Sequence, residues 1–403
     1  MYSHACDHDP PDLRTFRSAA RERPNAPVSA GTNGAVVAAD RGDRALSGGA
    51  KVKIAIVGAT GYVGSELIRL LAMHPHVEIA GLIGRERKGD PIGGIHAHLA
   101  TQNLHVYDTI PDDAEAVFLA LPHGTAAARI DEFLGADASG SSRTVIDMGP
   151  DFRLQDPAMY PAYYNFEHPR QDLLPSTVYG LPELHRAELA AAGRTGRVIV
   201  GSPGCYATTS ILALTPLARA GLIADVVIDA KSGVSGAGRD PKADLVFGEV
   251  NESVRAYGIF THRHIAEIEQ ELLGQGATRD ANPGADGIDF LPHLIPMTRG
   301  ILAACHVRTT RPVSQAELDD LYAAAFADEA FVTVTKAPPA TKHVLGSNEF
   351  RTWVGKDERT NRVLAIGVLD NLVKGAAGQA IQAFNVVHGL PETTGLLQLP
   401  LAP

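Results

Sequence analysis

Cysteine is scarce in this chain: three in 403 residues, at Cys6, Cys205 and Cys305. Their wide spacing and odd number exclude a disulfide framework and a cysteine-built zinc site, and they suit a reducing, cytoplasmic setting. Long apolar runs are missing too. None approaches the ~20 residues that span a bilayer, so no membrane partner is expected. Positive charge is in deficit, with 36 Lys and Arg against 46 Asp and Glu, a net charge of -10. That argues against nucleic acid as a partner, because phosphate backbones call for a basic face. There is no internal repeat, and no low-complexity tract follows residue 50.

What remains is an ordinary globular composition, 45% hydrophobic and 20% charged. The length predicts two domains. Residues 1–50 differ from the rest. They are rich in Ala, Gly, Pro, Asp and Arg, and their six Arg are balanced by five Asp and one Glu. They lack the apolar stretch of a secretory signal and carry too many acids for a usual transit peptide. They are read as a disordered N-terminal extension.

From Val52 onward strands and helices alternate. Val52-Lys-Ile-Ala-Ile-Val-Gly reads as a strand, 65–72 as a helix, and 77–83, 116–122 and 143–147 as further strands, with a helix over 125–134. This rhythm predicts an α/β Rossmann domain with a doubly wound parallel sheet. Beyond residue 204 the pattern changes to strands at 226–231, 289–294, 301–308, 331–334 and 363–369, with helices at 264–273 and 314–327. That predicts an α+β domain with a mixed, largely antiparallel sheet, followed by a last helix at 372–388.

Between the first strand and helix lie Gly58, Gly61 and Gly64, a G-x-x-G-x-x-G spacing. Glycines there permit a tight turn and let backbone N–H groups approach a pyrophosphate at a helix start. The spacing departs from G-x-G-x-x-G, so its position between strand and helix carries the reading. Thr60, Tyr62 and Val63 complete the candidate loop. At the end of the second strand stands Gly84-Arg-Glu-Arg-Lys88. Arg85 or Arg87 suits a 2′-phosphate, which favours NADP, while Glu86 would suit the ribose of NAD.

Cys205 follows a β-branched run and a Ser-Pro-Gly turn, and it opens an apolar helical segment ending near Arg219. A helix N-terminus favours thiolate, the nucleophilic form; the plainer role is a small hydrophobe capping a turn. Thr261-His-Arg-His-Ile-Ala-Glu places His262 and His264 at i, i+2 and Glu267 three residues on, able to share the face of His264. No third ligand is spaced convincingly for a metal, so none is expected. A histidine acting as acid or base beside a thiol is the better use. Cys305, in an apolar strand, is expected to be buried and inert.

These motifs resemble the N-acetyl-γ-glutamyl-phosphate reductase family of the semialdehyde dehydrogenase superfamily. The match runs through Gly58-Ala-Thr-Gly-Tyr-Val-Gly64, Leu119-Ala-Leu-Pro-His-Gly124, Asp151-Phe-Arg153, Tyr179-Gly-Leu-Pro-Glu183 and Pro203-Gly-Cys-Tyr206. It continues through Ser232-Gly-Val-Ser-Gly-Ala-Gly-Arg239, Arg255-Ala-Tyr257, His262-Arg-His264, Arg299-Gly-Ile-Leu and Asp370-Asn-Leu-Val-Lys-Gly375. The resemblance covers Val52 to the C-terminal helix and leaves residues 1–50 without a counterpart. It implies NADPH-dependent reduction of an acyl phosphate through a cysteine thioester, in arginine biosynthesis. Cys205 would be the nucleophile and His262 the acid/base, with His264 structural. Arg153 would fork the substrate carboxylate, unless it forms an ion pair with Asp147 or Asp151. Arg239, Arg255 and Tyr257 are further candidate substrate contacts. Ser232 and Gly233 would border the nicotinamide, and Asn371 would touch the cofactor unless it is a helix N-cap. Two departures are Ala207 and Ala266, where the family commonly has proline.

The implied domains are 51–203 for NADP, 204–370 for catalysis and oligomerisation, and 371–403 for a helix returning to the first domain. A homodimer or homotetramer is expected. Aspartate-semialdehyde dehydrogenase is the nearest alternative. A carrier-linked aminoadipyl-phosphate reductase and a non-catalytic NADP-sensing protein stand further off.

Overall fold

The computed structural model describes residues 51–135, 142–196, 198–274 and 288–402. The expected extension at 1–50 lies outside them. Seven strands form the first sheet: β1 (Val52–Val57), β2 (Val77–Ile83), β3 (Val106–Tyr107), β4 (Ala116–Leu119), β5 (Thr144–Asp147), β6 (Thr177–Tyr179) and β7 (Ile199–Gly201). Their order is β3-β2-β1-β4-β5-β7-β6 and every pairing is parallel. β1 and β4 are apolar along nearly their whole length because helices cover both faces of a doubly wound sheet.

The second sheet has β8 (Ile223–Gly233), β9 (Arg255–Ala256), β10 (Ile288–Ile295), β11 (Ile301–Thr309), β12 (Val332–Val334), β13 (Phe350–Asp357) and β14 (Arg362–Leu369). The order is β12-β13-β14-β11-β8-β10-β9, antiparallel except where β8 meets β10 and β12 meets β13. Buried and half-exposed residues alternate along β11, as a sheet packed on one face requires. The covering element is the helix Cys205–Arg219, buried from Tyr206 to Ala218. Cys305 is fully buried in this core. Among the described residues no helix is long and apolar enough to cross a membrane.

Two of the predicted helices are interrupted or irregular. The helix expected at 125–134 breaks at Arg129 into Thr125–Ala128 and Ile130–Leu134. The last helix opens as a π-turn, Val373–Ala377, before Gly378–Val387 becomes regular. It packs on the first sheet, with the Phe384 ring tilted against Phe118 at 5.5 Å.

That helix is anchored by a buried ion pair. Lys374 Nζ lies 2.5 Å from Glu183 Oε1 and donates to Gln382 Oε1 at 2.7 Å, and both charged side chains are almost fully buried. Burial pushes the Glu183 carboxyl up, but the ammonium overrides it and holds it below the usual carboxylate range. Removing one partner strands the other charge. Lys374→Met is therefore expected to lose about 3–5 kcal/mol in urea denaturation. Lys374→Met with Glu183→Leu should recover most of it; equal losses would contradict this account.

Candidate active site

Cys205 lies where the two sheets meet, as the first residue of its helix with Gly204 as the N-cap. The turn before it is tied down by Glu267. This carboxylate is wholly buried and accepts the Gly204 N–H at 2.6 Å and the Tyr179 hydroxyl at 2.8 Å on Oε1. Its Oε2 faces Arg153 Nη1 at 3.2 Å. The ring of His264 packs flat against Gly204: a Cβ there would lie 2.3 Å from Nε2, so only glycine fits.

Arg153 departs from expectation. It is 7% exposed, and its guanidinium donates to Ser202 O at 2.6 Å, Met148 O at 2.9 Å and Glu267. The planar fork is spent on the backbone before the cysteine, and its ion-pair partner is Glu267, not Asp147 or Asp151. Asp151 instead accepts the N–H groups of Gly124 and Ala127, at 2.7 and 2.9 Å, and so holds the Leu119–Gly124 stretch.

His262 sits in an aromatic box, edge-on to Tyr257 at 5.5 Å, Tyr206 at 5.7 Å, Phe290 at 5.3 Å and His264 at 4.7 Å. Burial, with the nearby Arg263 charge, pulls its pKa down to about 4, so the ring is neutral at physiological pH. The backbone N–H of His264 donates to His262 Nδ1 at 3.2 Å. That bond assigns the ring proton to Nε2 and makes it a donor. Tyr257 donates to the Tyr206 hydroxyl at 3.3 Å, and Tyr206 donates to His293 O at 2.8 Å.

The thiolate expected from the helix start is not what this environment favours. Protein atoms crowd the Cys205 thiol and push its pKa up to about 11. The Tyr206 N–H and the Arg153 charge pull the other way, and Glu267 adds to the rise. Burial wins over the helix terminus. Among the described residues no hydrogen bond joins Sγ to either imidazole.

The glycine loop separates three roles. Gly58 has φ +87° and its Cβ would meet Ala120 O at 2.2 Å; a Cβ on Gly64 would meet Gly58 O at 2.4 Å. These two serve the turn and the helix–strand contact. A Cβ on Gly61 would meet nothing nearer than Gly58 O at 3.7 Å. Protein packing does not require glycine there. The helix Tyr62–Leu71 has no side-chain cap and no acid in its first turn, as a pyrophosphate site wants.

Thr60 offers its carbonyl to Arg239 Nη1 at 2.6 Å, and Arg239 also donates to Ile95 O at 3.1 Å. Expected at the substrate, Arg239 instead crosses to the dinucleotide loop. It lines a cleft of about 490 Å³ with Tyr62, Ser65, Ser235 and Arg299. Cys205 is not among the lining residues, so the cleft flanks the glycine loop and not the thiol. Arg85 and Arg87 form the turn after β2, with Arg87 paired to Asp90 at 2.7 Å. Arg255 is an exposed partner of Asp244 at 2.9 Å.

Asn371 is no helix cap. Its amide accepts the Gly300 N–H at 2.7 Å and donates to Ser235 Oγ at 2.9 Å. Asp370 does the capping, accepting the Leu372 N–H at 2.9 Å. Buried Ser232 donates to Gly233 O at 3.0 Å, and Gly233 packs on Thr298 and Arg299 too closely for a Cβ. Asn371 thus ties Ser235, close after buried Ser232 and Gly233, to Gly300, just before β11.

A parallel nucleotide-type sheet joined to a mixed sheet, with a cysteine at the junction, defines the semialdehyde dehydrogenase class. Residues 53–192 match the family described as semialdehyde dehydrogenase, NAD binding domain, and residues 205–371 match the semialdehyde dehydrogenase, dimerisation domain. The chain thus carries a nicotinamide-dinucleotide-binding domain.

The chain belongs to the N-acetyl-gamma-glutamyl-phosphate reductase family. It is 45% identical over 362 residues to the protein of that name from Rhodospirillum rubrum, covering 88% of this chain and 99% of the relative. It is 43% identical over 357 residues to that from Heliobacterium modesticaldum, covering 86% and 98%. Among solved structures, aspartate semialdehyde dehydrogenase II of Vibrio cholerae, complexed with ASA, shares the fold at a TM-score of 0.61 and 16% identity, covering 84% of this chain and 98% of that one. Aspartate semialdehyde dehydrogenase with NADP from Candida albicans gives 0.62 at 15% identity, covering 84% and 98%.

Two outcomes are expected. Gly64→Ala should cost about 1–3 kcal/mol of stability by overpacking, whereas Gly61→Ala should keep the parental Tm and bind NADPH more weakly in a fluorescence titration; unchanged binding would remove Gly61 from the cofactor site. Alkylation of Cys205 by iodoacetamide, read on its peptide by mass spectrometry, should rise about tenfold per pH unit up to pH ~9 in the cofactor-free enzyme. A plateau near neutrality would mean that thiolate already prevails.

Proposed function

We propose that the enzyme reduces N-acetyl-L-glutamyl 5-phosphate to N-acetyl-L-glutamate 5-semialdehyde and releases phosphate, in arginine biosynthesis, with NADPH as reductant. The observation that carries this reading is a cysteine at the open start of a buried helix, in a chain whose full-length relatives bear the name of that activity. The aspartate semialdehyde dehydrogenases are far more distant in sequence, so that alternative is set aside.

Cys205 Sγ attacks the acyl carbon, the bond from that carbon to the phosphate oxygen breaks, and a thioester forms. The thiol loses its proton as the sulfur–carbon bond forms, and the leaving phosphate is basic enough to carry it. His262, neutral and carrying its proton on Nε2, hydrogen-bonds the acyl oxygen as negative charge gathers there. Its role at the thiol is secondary, because Nδ1 is already taken by the His264 N–H. When bound, the nicotinamide supplies the hydride that brings the thioester to the aldehyde level. The sulfur–carbon bond then breaks, the aldehyde leaves, and the departing thiolate takes a proton from solvent to regenerate the Cys205 thiol.

Gly58, Gly61, Gly64 and the N–H groups of Tyr62 and Val63 support the pyrophosphate. Arg85 and Arg87, placed at the end of β2, favour NADPH over NADH. Arg239 joins this cofactor group on the strength of its bond to Thr60, while Tyr257 shapes the box around His262. The half-exposed outer face of the second sheet suits a homo-oligomer.

Phosphate-dependent reduction of NADP⁺ with N-acetylglutamate semialdehyde is the direct test. Cys205→Ala should abolish it, and His262→Asn should slow it by about 10²–10⁴-fold. Turnover confined to aspartate semialdehyde, or near-parental rates in Cys205→Ala, would overturn the reading.

A further inference from the structure

The last helix meets the cysteine through its backbone. In its π-turn the Gly375 N–H reaches Asp370 O and the Ala377 N–H reaches Leu372 O, each at 2.9 Å and each five residues back. Single π-turns within helices recur at functional sites. Glycine is a poor helix former, and Gly375 has no left-handed backbone to demand it. The demand is spatial: a Cβ on Gly375 would lie 2.7 Å from Cys205 Cβ. Cys205 Cβ cannot swing aside as a side-chain tip would, because it moves only with the start of a buried helix.

The turn is itself held firmly. Lys374 is clamped to Glu183 and Gln382. Asp370 is bound by Arg299 Nη2 at 3.1 Å and by the Gly346 N–H at 2.7 Å, and Asn371 bridges Gly300 and Ser235.

We propose that this π-turn is the positioning surface of the nucleophile, with the Gly375 backbone bearing on Cys205 and setting the direction of its Sγ. The proposal rests on Cys205 being the acyl acceptor. The same five-residue turn begins two residues after Asn371, so one short piece of chain registers the thiol against the Ser232–Ser235 loop. Gly375 is a positioning residue; it touches no reacting atom.

The test is Gly375→Ala, assayed beside Cys205→Ala. An added methyl displaces the cysteine, so kcat should fall about 10²-fold, the cost of a misplacement near 1 Å. NADPH affinity should hold, and the rate of Cys205 alkylation at fixed pH should change. A glycine needed only for folding would lower Tm and the folded fraction, yet leave kcat per folded site and alkylation as in the parent; that result overturns the proposal. Cys205→Gly removes the nearest opposing atom and leaves Leu369 and Asp370 O at 3.1 and 3.3 Å, so Gly375→Ala should cost clearly less Tm in that background than in the parent, while additive losses would overturn the contact. If Gly375→Ala alone does not fold, folding of the Cys205→Gly/Gly375→Ala pair supports the contact, and its failure where Cys205→Gly folds refutes it. Turnover retained in Cys205→Ala would sink the nucleophile reading itself. Turnover lost there but normal in Gly375→Ala removes only the positioning role.

Discussion

Everything at the candidate active site hangs on one buried carboxylate. Glu267 comes from the helix His264–Gly274 and reaches three other pieces of chain: the Gly204 N–H before the cysteine, the Tyr179 hydroxyl at the end of β6, and the Arg153 guanidinium beyond β5. An anion in the protein interior is tolerable only when each oxygen is met by donors or charge. Here that requirement fixes the cysteine turn, the edge of the first sheet and the histidine segment in one geometry. Arg153 closes the arrangement by donating to Ser202 O, the carbonyl two residues before Gly204.

Contacts made by absent side chains complete the fixing. Gly204 makes room for the His264 ring, and Gly375 makes room for Cys205 itself. Both lie beside the thiol, where a methyl would displace it. The same crowding explains the electrostatics. A thiol pushed up to about 11 and an imidazole pulled down to about 4 form a neutral pair, since low-dielectric surroundings penalise both charged forms.

Much of this was legible in the chain. The change from alternating strand and helix to a strand-rich half predicted both sheets, because hydrophobic period reports local burial. Cys205 and the His262-Arg-His264 segment stood out as chemistry, and structure brings them to the same junction. Trp353 lies in β13, a strand that periodicity did not reveal, because Gly355 and the charges around it break the apolar alternation. Arg153 was expected to fork the substrate carboxylate mainly from the family resemblance, with an ion pair to Asp147 or Asp151 as the alternative. Where its donors go depends on Ser202, Met148 and Glu267, which lie up to 114 positions away. Arg239 was one candidate substrate contact and lies against Thr60, 179 positions distant, a pairing local pattern does not report.

The sequence by itself determined the class of chemistry, since a thiol, an imidazole and a glycine-rich strand–helix turn are properties of residue type and local spacing. It also determined the two-sheet architecture, because strand and helix periods are local. Only tertiary structure decided which arginine is spent internally and which glycines the protein's own packing requires. Gly58, Gly61, Gly64 and Gly375 look alike on paper. What separates them is the nearest atom to a missing Cβ, which for three is protein at under 3 Å and for Gly61 is Gly58 O at an ordinary contact distance of 3.7 Å.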